Sequence, residues 1–329
     1  MKNVSKLGEK ALIKHLLSKI GDRQGLSPDQ GDDAALIPIN DSEYLVLTTD
    51  TILKSTHIPL SLNFYQIGWK IVSVNLSDLA AMAAQPTHIL LTIGLPPNFL
   101  IKDIDELYDG VLDACKQYNI QLIGGDTVDS EELLLSATAI GRVDKDKVLL
   151  KYGYNLGDKI FITGPLGLAA TALQENNDGD ESLLEYLYKP PVRIKEAQFL
   201  AEHGVKVATD ISDGLASELY ELFNSDHLHN PNSNLGFLIF SDSLPVDKRV
   251  DSFAANDYDL LMKLLLHVGE DFELLLTIPE DLLNKIDGEL KLYPIGEVTN
   301  TNKIEIKYGE EKQILSSTGY QHLQPHTPP

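Results

Sequence analysis

The chain has 329 residues, 43% apolar and 23% charged, with a formal net charge of −22 and one cysteine. That length suits two domains better than one hydrophobic core, and the apolar share is that of a globular chain. The acidity would repel a nucleic-acid backbone and no apolar run reaches the ~18 residues of a membrane span; Cys115 lacks an internal disulfide partner and the opening Met1–Glu9 stretch turns acidic before any apolar run, so the reading is cytoplasmic, with no nucleic acid and no membrane.

Leu7, Ala11, Leu12, Leu16 and Ile20 recur at helical spacing and predict an amphipathic helix over Lys6–Ile20, followed by a polar loop over Gly21–Gln30. Ala34–Ile39 and Tyr44–Thr49 read as two buried strands split by the Asn40-Asp41 turn, the second leading straight into Asp50. Ile67, Ile71, Val74, Leu79 and Met82 mark a helix over Phe64–Ala84, whose small residues Ala80, Ala81, Ala83 and Ala84 admit another backbone at close range. A strand at His88–Ile93, a helix at Ile104–Tyr118 and strands at Gln121–Ile123 and Leu133–Arg142 complete a mixed α/β unit. A domain boundary is expected near Lys151–Leu156. Beyond it, a strand over Lys159–Thr163 leads to Gly164-Pro165-Leu166-Gly167, a turn that opens a helix at Leu168 but lacks the spacing and lysine of a P-loop. Gln174–Glu181 and Asn224–Gly236 read as polar, mobile segments, and the tail after Gln324 as disordered.

Short acidic signatures stand where hydrophobic runs end or helical ones begin: Gly31-Asp32-Asp33, Thr48-Thr49-Asp50, Asn75-Leu76-Ser77-Asp78, Gly124-Gly125-Asp126-Thr127, Asp210-Ile211-Ser212-Asp213-Gly214 and Gly269-Glu270-Asp271. Any one of these acids alone serves as a helix cap or turn residue. Together they say more. Asp33, Asp50 and Asp126 are expected at strand edges or turns, and Asp78 on a helix facing the same cleft. Two carboxylates ~4 Å apart repel by ~4 kcal/mol at an effective dielectric of ~20, so acids sharing a cleft call for cations. Hard ions such as Mg²⁺ fit, and they bring phosphates. ATP, with about four negative charges, enters such a cleft only where divalent ions bridge carboxylates to phosphate oxygens. No Ser/His/Asp signature, no metal-binding His/Cys spacing and no dedicated catalytic base stands out. The pattern therefore points to metal-assisted in-line phosphoryl transfer, with an acceptor that is itself an ionised phosphate.

In this order the motifs resemble the thiamine-monophosphate kinase family, within the superfamily of aminoimidazole-ribonucleotide synthetase and selenophosphate synthetase. The resemblance runs from Gly31 to His322, and Val74–Met82 is its most specific part. It implies that ATP donates its γ-phosphoryl group to thiamine monophosphate, giving thiamine diphosphate and ADP, with Mg²⁺ as cofactor. It implies a magnesium shell of Asp33, Thr48, Thr49, Asp50, Asp78, Asp126, Asp210 and Asp213, and ATP contacts from Tyr108, Gly125, Asp126, Lys151 and Ser212. His57, Glu270 and Tyr320 would line the thiamine phosphate pocket, where an aromatic ring suits a cationic thiazolium. The implied fold is α/β (α+β) in two domains. Residues 1–150 would form a mixed α/β domain that binds ATP and magnesium and pairs with its twin in a dimeric β-barrel; residues 151–329 would form a layered α/β domain completing the site. A homodimer follows.

The departures are specific. Leu53-Lys54-Ser55-Thr56-His57 lacks the acid of the family's Val-Glu-Gly-Val-His, Ala83 stands where glycine is usual, and Val268 replaces the first glycine of Gly-Gly-Glu-Asp. Lys151 replaces an arginine that contacts ATP, keeping the charge and losing the bidentate fork. None removes a metal ligand. Two other readings stand beside the kinase at this level: another ATP-using enzyme of the superfamily, and a non-catalytic metal-nucleotide binding protein. No reactive cysteine precedes Gly31, against selenophosphate synthetase, and a non-catalytic relative would be expected to lose acids from the shell.

Overall fold

The computed structural model describes residues 4, 8–20, 31–174, 181–286 and 288–320. The Gly21–Gln30 loop, residues 175–180 of the second polar segment, the tail after Gln324 and the end of the last motif at Gln321-His322 lie outside the described residues.

Helix α1 (Glu9–Ile20) precedes a first sheet built of β1 (Ala35–Pro38), β2 (Glu43–Leu53), β3 (Gln85–Leu95), β4 (Gln121–Asp129) and β5 (Leu134–Asp144), in the order β1-β2-β5-β3-β4. Between β2 and β3 the chain forms the short α2 (Lys54–His57) and the long α3 (Phe64–Ala81); α4 (Ile101–Tyr118) joins β3 to β4. The pair β3–β4 is parallel, and α4 supplies the crossover that such a pair needs. Helix α3 starts at a capping box, in which Asn63 Oδ1 accepts the Gln66 N–H and Gln66 Oε1 accepts the Asn63 N–H. It packs on β2, β3 and β5, and crosses α4 at backbone contact: a Cβ on Gly68 would meet Leu107 O at 2.0 Å, and one on Gly110 would meet Tyr65 O at 1.9 Å.

The second sheet contains β6 (Lys159–Ile162), β7 (Val207–Asp210), β8 (Gly236–Phe240), β9 (Leu274–Ile278), β10 (Tyr293–Thr299), β11 (Ile304–Tyr308) and β12 (Glu311–Ile314), ordered β12-β11-β8-β10-β6-β9-β7. Around it lie α5 (Leu168–Gln174), α6 (Glu181–Tyr188), α7 (Ile194–Glu202), α8 (Leu215–His229), α9 (Lys248–Ala254), α10 (Tyr258–Lys263), a π-helical turn at Leu264–Val268, and α11 (Glu280–Ile286). Helix α3 also contacts α6, α7 and β7, so it is wedged between the two sheets. Among the described residues no helix is long and apolar enough to cross a membrane.

Several expectations need correction. Strand β2 runs on to Leu53, so Asp50 lies inside a strand rather than at its end. Strand β4 continues through Gly124–Thr127 after a register shift opposite Ile89/Leu90, so that signature is strand and not turn. Asn224–His229 is not a mobile connection but the end of α8, because its polar groups are satisfied within the fold: buried Asp226 Oδ2 accepts from Ser233 Oγ at 2.6 Å. The long helix stops at Ala81, where Ala83 turns left-handed (φ 54) and the Ala83 and Ala84 N–H groups bond back to Ala80 O and Leu79 O at 2.8 Å.

Candidate active site

The Asn75-Leu76-Ser77-Asp78 signature lies in the last turns of α3, and its polar members reach different strands. Asp78 Oδ2 accepts from Thr48 Oγ1 on β2, and Asp210 Oδ2 at the end of β7 accepts from Ser77 Oγ, both at 2.5 Å. Asn75 Oδ1 accepts the Asp50 N–H at 3.2 Å while its amide donates to Ile71 O at 2.8 Å. Asp33, in the turn before β1, accepts on Oδ1 from Thr209 Oγ1 at 3.0 Å and pairs there with Lys151 Nζ at 2.6 Å. Its Oδ2 is buried, with no hydrogen-bond partner among the described residues. Asp32 braces the turn by accepting the N–H groups of Asp33 at 3.0 Å and Lys151 at 3.1 Å.

These carboxyls share one field. Burial holds Asp78 well above the usual carboxylate range, and the charges of Asp50, Asp210 and Asp33 push the same way. Burial, then the Asp33 charge, pushes Asp210 and Asp32 each up to about 7. Burial raises Asp33 as well, although Lys151 opposes it. Asp213 is pushed up to about 6, by burial and then by Glu9. For Lys151, burial disfavours the ammonium but the charges of Asp33, Glu218 and Asp32 outweigh it, so its pKa is raised. Among the described residues no three His, Cys, Asp or Glu side chains already stand as a metal-holding group. The chemistry of the donors nonetheless fits a hard divalent cation: oxygen ligands, desolvated, mutually repelling, with one orphaned carboxylate oxygen on Asp33.

Beside this group opens a cavity of about 520 Å³, lined by Asp50, His57, Ser212, Asp213, Glu270 and Tyr320 among others. His57 closes α2 and accepts the Leu53 N–H on Nδ1 at 3.0 Å; its ring meets the Tyr320 ring edge to face, centroids 6.4 Å apart. Tyr320 is anchored by its N–H on Asp213 O at 3.1 Å. Two signature turns interlock to build the far wall. Glu270 N–H donates to Ser212 O at 2.8 Å, and Gly269 (φ 82) lies so close that a Cβ would meet Ser212 O at 2.2 Å.

The structure does not bring every expected residue to this place. Along the first sheet Asp50 stands in one row with Ala137, Leu91 and Gly125, whereas Asp126 stands in the next, with Thr92, Ser136 and Thr51. Adjacent rows point to opposite faces, and β4 lies three strand spacings from β2, roughly 14 Å. Asp126 therefore faces away from Asp50, on the open side that Thr49 shares. Tyr108 is exposed on α4 and does not line the cavity. Gly125 has a packing reason of its own: a Cβ there would meet Leu91 O at 1.7 Å. Lys151 is committed to Asp33. Sequence reasoning missed Lys70 and Glu9, which line the cavity, and Glu218, whose Oε1 accepts the Asp213 N–H at 3.3 Å. For Lys70 the available signal is a lysine set between Trp69 and Ile71 in an apolar helix.

The family models for AIR synthase related protein match here, the N-terminal domain over residues 31–143 and the C-terminal domain over 155–309. Thiamine-monophosphate kinase of Pyrococcus horikoshii is 31% identical over 323 residues, covering 97% of each chain. That of Haemophilus influenzae is 32% identical over 340 residues, covering 96% of this chain and 98% of the other. The solved structure of AaThiL complexed with AMPPCP and TMP matches with a TM-score of 0.83 at 26% identity, covering 98% of this chain and 99% of that one. The chain therefore belongs to the AIR synthase related family and, within it, to the thiamine-monophosphate kinases.

Proposed function

We infer that the chain transfers the γ-phosphoryl group of ATP to the phosphate of thiamine monophosphate, giving thiamine diphosphate and ADP. The observation that carries this reading is the meeting of His57, Glu270 and Tyr320, from three distant motifs, in one cavity that Asp50 joins to the buried carboxyl group. The relatives named above support it: full-length matches are thiamine-monophosphate kinases, and AaThiL was solved with AMPPCP and TMP.

In this reading Asp33, Thr48, Asp50, Asp78, Asp210 and Asp213 would hold Mg²⁺, whereas the Thr49 side chain points to the opposite face of the sheet. When bound, the ions neutralise the charge that spreads over the travelling phosphoryl oxygens. The chain's own residues orient the partners. Tyr320 offers its ring to the thiazolium cation and Glu270 its carboxylate, while Ser212 contacts ATP. Lys151 acts through Asp33 by offsetting a buried charge. A phosphomonoester's second pKa is about 6, so the acceptor is ionised near neutral pH and no residue is needed to deprotonate it.

A homodimer completes the proposal. Strand β4 is an edge strand with Ile123 51% and Val128 46% exposed, and a nine-residue unpaired edge invites another copy to cover it. A twin there would cover the open face on which Asp126 and Thr49 lie, away from Asp50. The domain division at 150/151 follows the change from one sheet to the other, and the single cysteine, buried as a thiol, supports a cytoplasmic setting.

Incubation with thiamine monophosphate, ATP and MgCl₂, followed by chromatography, should yield thiamine diphosphate and ADP. With γ-labelled ATP no label should remain on the protein. Inorganic phosphate as the sole phosphoryl product, or a labelled protein, would overturn direct transfer.

A further inference from the structure

Lys70 sits on α3 with 1% of its surface exposed. An ammonium removed from water that far must be bonded within the protein, and each of its partners is identifiable. Nζ donates to Leu187 O in α6 at 3.0 Å, pairs with Glu270 Oε2, and lies 5.9 Å from the centroid of the Phe272 ring. Two of the three partners belong to the turn after the π-helical segment, where Glu270 (φ 66) and Phe272 (φ 50) both take left-handed backbone that residues with a Cβ avoid. Such a turn persists only where its surroundings over-determine it. Lys70 supplies that constraint from the other sheet's side of the cavity.

We propose that Lys70 is a positioning residue for the acceptor, fixing Glu270 by one carboxylate oxygen so that the other meets a hydrogen-bond donor on a cationic substrate. This rests on the reading of the cavity as the thiamine monophosphate pocket. Lys70 and Glu270 both line that cavity, and no hydrogen bond to Glu270 Oε1 is formed among the described residues. The role of Lys70 is thus in acceptor binding and not in the transfer step.

Steady-state kinetics on Lys70→Met, Glu270→Gln and the double variant test this. Lys70→Met should raise KM for thiamine monophosphate about tenfold, the scale of a lost charge-assisted hydrogen bond, with kcat and KM for ATP changed less than about threefold. Glu270→Gln should do the same, and the double variant should add nothing to either. An additive double variant, or equal rises in both KM values, would reduce Lys70 to a structural role. Lys70→Gln, which keeps a neutral polar side chain at this buried position, carries the same comparison if the methionine variant does not fold. Failure of the unaltered chain to form thiamine diphosphate sinks the functional reading; normal turnover with an unchanged acceptor KM in the Lys70 variants sinks only the positioning role.

Discussion

Replacing Lys151 by methionine strips one partner from the Lys151–Asp33 pair, whose charged atoms are 2.6 Å apart and whose side chains are only 9% and 6% exposed. Breaking a buried pair in this way costs about 3–5 kcal/mol, because the remaining charge is stranded. Two features of the site place the cost near the lower bound. Asp33 keeps Thr209 Oγ1 at 3.0 Å, and burial already raises its pKa, so the carboxyl answers the loss of Lys151 by taking up a proton. The expected destabilisation near neutral pH is about 3 kcal/mol. It also acquires a pH dependence with a definite sign. A carboxyl whose folded pKa lies above its unfolded value binds more protons in the folded state, so its contribution is favourable at low pH and lost as pH rises through the folded value. Lys151 restrains that rise, and without it Asp33 moves further up. The gap between parent and variant should therefore widen as pH rises through the folded value of Asp33. Urea unfolding in EDTA, followed by the fluorescence of the single tryptophan, Trp69, measures it. A loss below about 1 kcal/mol at every pH, the scale of an exposed pair, or a gap that narrows as pH rises, would refute the reasoning.

Two further substitutions separate mechanism from stability. Asp78→Asn removes a carboxylate that burial and the charges of Asp50, Asp210 and Asp33 all disfavour, so turnover should vanish while the metal-free melting temperature stays level or rises; near-normal turnover would remove Asp78 from the mechanism. Ala83→Gly acts at a left-handed position (φ 54). Relief of about 1–2 kcal/mol of strain is nearly offset by about 0.5–1 kcal/mol of added chain entropy and about 0.8 kcal/mol for the buried methyl, so stability should change by less than about 1 kcal/mol, and a larger loss in urea unfolding would contradict that account.

The parts legible in the sequence are those whose signal is local. The apolar face of α3 and the runs of β2 and β5 have periods that name their element, and Asn75, Ser77 and Asp78 stand out as polar residues inside a buried helix. The face on which Asp126 lies was not legible, because it depends on a ladder register shifted opposite Ile89/Leu90. A one-residue slip reverses every side chain beyond it. Lys70 was hidden for a different reason: a lysine in a helix reads as a solvent-facing residue with a snorkelling stem. Its burial comes from Leu187 and Glu270, 117 and 200 residues further along the chain. The end of α8 was misread because a run of Asn, Ser, Asp and His looks like a loop until Ser233 folds back on Asp226.

Helix α3 also explains why the site lies between the sheets. It buries residues around much of its circumference, and the buried Lys70, Asn75 and Ser77 on it, with Asp78, each take a bonded partner. Those partners lie on both sides: Asp78 meets β2 of the first sheet, Ser77 meets β7 of the second, and Lys70 reaches the turn before β9. The residues that gather carboxylates into one cleft are therefore also ties between the two halves of the chain. Most substitutions here would lower activity and stability together and could not tell binding from folding. Asp78→Asn is the exception, since asparagine keeps an acceptor for Thr48 Oγ1 while removing a charge that its neighbours repel. Loss of turnover in a protein that melts no earlier would then report on the site's chemistry alone.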